Sequence, residues 1–129
     1  MISPHEDRTF PALENLLSWT SKRQQALASN VANRDTPGYR ATDYSFESEL
    51  QASVRLTLTS PQHIAASRDI GNARVYEVET STKPNGNSVD IDRELTEVTK
   101  NGVQYLTLVE YLNQKIRTLR AAINEGARS

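Results

Sequence analysis

Between Ile91 and Ile123, apolar or small residues recur at alternating steps of four and three: Ile91, Leu95, Val98, Gly102, Tyr105, Val109, Leu112, Ile116, Leu119 and Ile123. A strand would need a period of two, so a seven-residue period held this long predicts a helix with a coiled-coil seam. Leu95, Gly102, Val109, Ile116 and Ile123 fall at the a positions and Ile91, Val98, Tyr105, Leu112 and Leu119 at d. β-Branched residues at a with Leu at d favour a two-helix seam. Asp90 is placed to cap the helix, with Asp92 and Glu94 in its first turn and Lys115, Arg117 and Arg120 towards its far end. Those charges oppose the macrodipole at both ends. The predicted helix, 90–124, is roughly 50 Å long at 1.5 Å per residue. Gly102 either permits a close helix approach or is a tolerated glycine costing about 1 kcal/mol.

A shorter pattern of the same kind runs through Leu13, Leu17, Thr20, Gln24, Leu27 and Val31 and predicts a helix over 9–33. Thr20 and Gln24 weaken this seam but can fix its register. Its natural partner is the C-terminal helix. The expected fold is therefore mainly α, a single domain over 1–129 in which long N- and C-terminal helices pair as a coiled coil. Residues 34–89 form a short, irregular, β-prone insertion between them. Within it Phe46, Leu50 and Val54 suggest a turn or two of helix, 54–58 alternates like a strand, 73–80 is a second β-prone run, and Pro84-Asn-Gly86 marks a turn.

Leu16 and Trp19 on the first helix, and Val103, Leu106, Leu108 and Tyr111 on the second, lie off these seams. A two-helix hairpin cannot bury all of them, so either the middle section folds over them or other chains do; the thin middle section favours other chains, and exposed apolar surface of this kind usually marks an interface. These six residues are candidate subunit contacts. A repeated contact between unlike faces generates a ring or an open helix.

Other function classes find little support. His5 and His63 are the two imidazoles, and the chain has no H-E-x-x-H, nucleophile elbow or Gly-rich phosphate loop, so no catalytic, cofactor or metal residues are assigned and no enzyme is expected. The acids of Asp90-Ile-Asp-Arg-Glu94 lack the turn Gly and final Glu of a calcium loop. A net charge of −1 gives no field to gather nucleic acid. No apolar run approaches a membrane span, and the first residues lack the basic and apolar regions of a cleaved signal, so any export is expected without one.

One stretch breaks the helical pattern. In Asn30-Val-Ala-Asn-Arg-Asp-Thr-Pro-Gly-Tyr39, Pro37 must end the first helix, and Thr36-Pro-Gly-Tyr39 fits a type II turn with Gly38 at positive φ. Asn30, Asn33, Asp35, Thr36, Pro37, Gly38 and Tyr39 form this motif turn, with Asn33 and Asp35 able to satisfy groups at the frayed helix end. Any helix can end in a Pro-Gly turn. The run from Arg23 to Ala41, however, closely resembles the N-terminal signature of the bacterial flagellar rod and hook axial family. Asp43-Tyr-Ser-Phe-Glu47, Ser60-Pro-Gln-His63, Asn87-Ser-Val-Asp-Ile-Asp-Arg-Glu94 and Asn101-Gly-Val-Gln-Tyr-Leu106 extend the similarity towards proximal rod members of that family.

The resemblance implies a structural subunit of the proximal rod, with terminal helices forming an inner coiled-coil tube around an export channel. The turn and the segment after it would contact neighbouring subunits. It further implies passage through the flagellar type III export apparatus, a periplasmic location, partners among other copies and other rod proteins, and a rod-base adaptor protein near the membrane ring. The terminal helices would order on assembly. Two alternatives stay open: a self-folding coiled-coil adaptor of a secretion or flagellar assembly system, and a different axial subunit, against which the short middle section argues.

Overall fold

The computed structural model describes residues 9–45, 51 and 75–127. The helix turn suggested by Phe46, Leu50 and Val54 and the strand suggested at 54–58 lie outside them. Two helices dominate: α1 (Thr9–Ala32) and α2 (Ile91–Gly126), joined through β1 (Thr42–Tyr44) and β2 (Val75–Glu77). The fold is thus mainly α with a small sheet, and the two long helices lie together.

Contacts between the helices run in opposite senses along the chain. Asn101 Nδ2 donates to Thr20 O (2.9 Å) and Gln24 Oε1 (2.8 Å), Arg23 reaches Glu97, and Asn30 reaches Glu94. The pair is therefore antiparallel. With 24 residues in α1 and 36 in α2, the second helix is longer by about 18 Å at 1.5 Å per residue. If Thr20 is level with Asn101, Thr9 is level with about Leu112 at equal rise. The last four turns of α2 thus extend past the described start of α1.

The sheet is small and local. β1 and β2 are antiparallel, with Thr42 opposite Glu77, Asp43 opposite Tyr76 and Tyr44 opposite Val75. Val78 N continues the ladder to Ala41 O at 2.9 Å. Ala41, Val78 and Val89 form a buried apolar cluster with Tyr39 packed against it.

The N-terminus of α2 is capped by Asp90, whose carboxylate accepts from Asp92 N and Arg93 N. Its C-terminus differs from the sequence expectation. The helix runs on to Gly126, and its last turn holds no basic residue. Lys115, Arg117 and Arg120 therefore sit too far back to offset the dipole at the end, because that interaction fades within a turn.

Gly102 also departs from the close-approach idea. A methyl group built there meets nothing within 4 Å, so no described neighbour needs the space. Replacing a mid-helix Gly by Ala then mainly removes unfolded-chain entropy. Gly102→Ala is expected to stabilise the isolated chain by about 0.5–1 kcal/mol, read as a higher urea midpoint with an unchanged slope.

Candidate functional site

The stripe joining the helices is not the apolar heptad alone. On α2 the buried residues are Glu94 and Asn101; on α1 they are Leu13, Asn15, Trp19, Thr20, Arg23, Leu27 and Asn30. Of the expected seam, Leu13, Thr20 and Leu27 are buried, Leu17, Val31, Ile91, Val98, Gly102, Val109, Leu112, Ile116 and Leu119 are half-buried, and Gln24, Leu95, Tyr105 and Ile123 are exposed. On α1 the contact keeps Leu13, Thr20 and Leu27 and takes Arg23 and Asn30, each one residue earlier, in place of Gln24 and Val31; on α2 Glu94 and Asn101 replace Leu95 and Gly102. The physical reason is a set of polar side chains whose mutual bonds hold them inside.

Arg23 is the first centre. Its Nε and Nη2 donate to the two oxygens of Asp43 at 2.7 and 2.8 Å, and Nη2 also reaches Glu97 Oε2 at 2.6 Å. One planar guanidinium thereby ties α1 to β1 and to α2, a geometry suited to its fixed fork of donors. The hydrogen bond to Asp43 pushes the Arg23 pKa up, and although burial opposes this the Glu97 bond adds to it. Burial works against the Glu97 carboxylate, but bonds from Arg23 and Lys100 outweigh it and hold its pKa below the usual glutamate value. The Arg23 guanidinium also lies 5.7 Å from the Trp19 ring centroid, within cation–π range.

Asn30 is the second centre, fully buried, and uses its whole hydrogen-bonding capacity. Its Nδ2 donates to Thr42 O (2.8 Å) and Glu94 Oε2 (2.9 Å), while Oδ1 accepts from Thr42 N (3.1 Å) and the Tyr39 hydroxyl (3.2 Å). Bonding both the N–H and the C=O of Thr42, the amide pairs with the backbone as a neighbouring strand would. Glu94 is held on its other side by Arg93 at 3.0 Å.

Asn87 is the third centre and ties the motif turn down. Its Nδ2 donates to Asn33 O (2.8 Å) and Thr36 O (2.7 Å), and its Oδ1 accepts from Val89 N (2.8 Å). Two carbonyls at the end of α1 thus find a donor from the segment that leads into α2. Within the turn, Tyr39 N donates to Thr36 O at 3.3 Å and Gly38 has φ 71°. Asn33 Nδ2 turns back to Ser29 O (2.8 Å) and its Oδ1 accepts from Thr36 Oγ1 (3.0 Å), whereas Asp35 pairs with exposed Arg34. Pro37 is exposed, and the Tyr39 hydroxyl lies 3.1 Å from Ser29 Oγ. Gly38 N donates to Asn85 O and Ser88 N to Tyr39 O, both at 3.0 Å, so the turn and the lead-in to α2 are laced together.

A methyl group at position 38 would meet no neighbour within 4 Å, so only its backbone angle resists substitution. Gly38→Ala is expected to cost about 1–2 kcal/mol in the urea denaturation of the isolated chain, the penalty of a left-handed residue with a Cβ.

The six candidate contact residues divide. Val103 (59% exposed), Leu106 (66%) and Tyr111 (45%) stand out from α2, Leu16 and Leu108 are half-buried, and Trp19 is 1% exposed. Trp19 is thus a core residue of the single chain. With Leu95, Val103 and Leu106 exposed, α2 carries an apolar surface that α1 leaves uncovered.

Sequence comparison places this arrangement in a family. A model described as flagella basal body rod protein matches residues 15–40, most of α1 and the motif turn. A flagellar basal body rod protein FlgB of Bacillus subtilis is 38% identical over 122 residues, covering 92% of this chain and 95% of that protein. The FlgB of Salmonella typhimurium is 35% identical, with 93% and 98% covered, and that of Proteus mirabilis 33% identical, with 93% and 96% covered. Matches of this extent cover more than nine-tenths of the chain, and the chain belongs to the flagellar basal body rod protein FlgB family, which is structural and not enzymatic.

Proposed function

We propose that this chain is a subunit of the proximal rod of the flagellar basal body, where copies join one another and other rod proteins in a hollow, torque-transmitting shaft. The observation that carries this reading is the apolar surface of α2. Leu95, Val103, Leu106, Tyr111 and Ile123 remain exposed in a chain whose helices are already paired. Surface of this kind is covered when neighbours assemble on it. The a and d residues of the distal half of α2, which extends past α1, form the seam to another helix, and the motif turn presents a second contact surface.

On this reading the subunit leaves the cytosol through the flagellar type III export apparatus without signal cleavage. It takes its place in the periplasm and meets an adaptor at the membrane ring. No described helix is long and apolar enough to cross a membrane. The alternative of a self-folding adaptor requires covered apolar faces in the isolated chain, and the exposure of Val103 and Leu106 speaks against it.

Electron microscopy of basal bodies from a strain lacking the chain, with a complemented strain as control, tests the proposal. Membrane rings without a rod are expected. Intact rods in the deletion strain would remove the chain from the shaft.

A further inference from the structure

The chain contains two Asn-Gly pairs among its described residues, Asn85-Gly86 and Asn101-Gly102, and the fold treats them oppositely. Asn101 is 2% exposed, lies inside α2, and spends its side-chain donors on Thr20 O and Gln24 Oε1. Asn85 is exposed, in the loop 83–87. Its Oδ1 accepts from Asn87 N at 3.1 Å, and among the described residues its Nδ2 has no acceptor. Gly86 N–H donates to Lys83 O at 2.9 Å, and Gly86 has φ 80°, the left-handed conformation of the glycine in a three-residue hairpin loop.

We infer that Asn85 is a site of spontaneous deamidation through a cyclic imide, and that the isoaspartyl product unlaces the motif turn. Attack on a side-chain amide by the next backbone nitrogen needs a following residue with no Cβ and an accessible loop, and Asn85-Gly86 supplies both. Local opening of the loop first frees the Gly86 N–H from Lys83 O; the nitrogen then loses its proton to solvent and forms a bond to Asn85 Cγ. The Cγ–Nδ2 bond breaks and ammonia departs with a proton from water. The bond to Asn87 N withdraws density from the amide oxygen and stabilises charge that develops there. Water then opens the imide at either carbonyl, leaving an aspartyl residue at position 85 or its isoaspartyl isomer. Electron count is conserved throughout, with water as the co-reactant.

The two products differ in consequence. An aspartate keeps an oxygen for Asn87 N, and with it the loop. The isoaspartyl form routes the main chain through the side-chain carbon and turns the α-carbonyl, which accepts from Gly38 N, into a free carboxylate. A Cβ position at Gly86 lies 3.4 Å from the Gly38 Cα, so the loop and the motif turn are in direct contact. Lengthening the backbone there displaces one against the other.

The test is incubation of the folded full chain in mildly alkaline buffer, with peptide mass spectrometry at intervals and a urea-unfolded sample in parallel. In the folded chain Asn85 is expected to convert faster than Asn101 by at least about tenfold, as local opening energies within one fold span from near zero to the global value. In urea the two should converge. The isoaspartyl fraction, separated by chromatography, should show faster hydrogen exchange at the Gly38 amide, while Asn85→Asp should remain protected there and should form no imide on this time scale. Equal conversion at the two sites in the folded chain, no conversion at Asn85 while the unfolded sample reacts, or an unchanged Gly38 amide in the isoaspartyl fraction would each overturn the inference.

Discussion

Arg23→Ala destabilises the isolated chain by about 3–5 kcal/mol, the expected penalty for removing one partner of a buried ion pair. The loss arises less from the missing attraction than from what stays behind. Asp43 is 0% exposed, and without the guanidinium its carboxylate is left inside with little to offset its dehydration. A domain of ordinary stability has only about 5–15 kcal/mol in total, so the variant sits close to unfolding. Urea denaturation followed by the helical circular dichroism signal reads this directly. Arg23→Lys should not rescue it, because a point-like ammonium cannot span both carboxylates with a flat fork. Removing the charges together tells the mechanism apart. Arg23→Met combined with Asp43→Leu should recover much of the loss, since an apolar pair of similar volume needs no compensation. A single Arg23→Ala variant within about 1 kcal/mol of the parent would mean that water reaches these groups and that the triad is a surface pair in effect.

The same triad sets the sign of the acid response. Glu97 has its folded pKa below the ordinary glutamate value through its bonds to Arg23 and Lys100. Its contribution to stability is therefore complete above the unfolded-state pKa and disappears as pH falls through the folded value. Glu97→Gln should flatten the acid limb of the stability profile and leave the shape of the curve near neutrality unchanged.

The heptads made the two helices legible, and Pro37 and Gly38 made the turn legible, because each acts on its own stretch of backbone. The face of contact was harder to read. Counting apolar positions favours Leu95 over Glu94, yet Glu94 is buried and Leu95 is half exposed. A buried polar residue is recognisable only through its partner. Here the partners are remote: Arg23 with Asp43 is 20 positions away, and Asn30 with Glu94 is 64. One signal was present. Arg23 and Asn30 are seven residues apart, as are Asn87, Glu94 and Asn101, so a polar heptad runs beside the apolar one. Trp19 is 1% exposed for a related reason: it precedes Thr20 on the buried side of α1, with the Arg23 guanidinium 5.7 Å from its ring.

Different rows of α2 have different tasks on the proposed reading. The polar row, Glu94 and Asn101, fixes the hairpin through bonds to specific partners, while Val103 and Leu106, off both that row and the apolar seam, are the residues proposed to meet neighbours. Val103→Asp with Leu106→Asp separates these tasks. Both residues are more than half exposed, so the substitutions remove little burial from the single chain and cost no more than about 1 kcal/mol in helix propensity. The urea midpoint of the isolated chain should move little. At a packed interface the same charges would be dehydrated without partners, at several kcal/mol each. The expected outcome is a chain that is produced and folds, yet leaves cells non-motile with basal bodies lacking a complete rod. Swimming at the parental rate would show that this side of α2 faces solvent in the assembled particle, and the contact surface would then have to be sought on the exposed side of α1 and the motif turn.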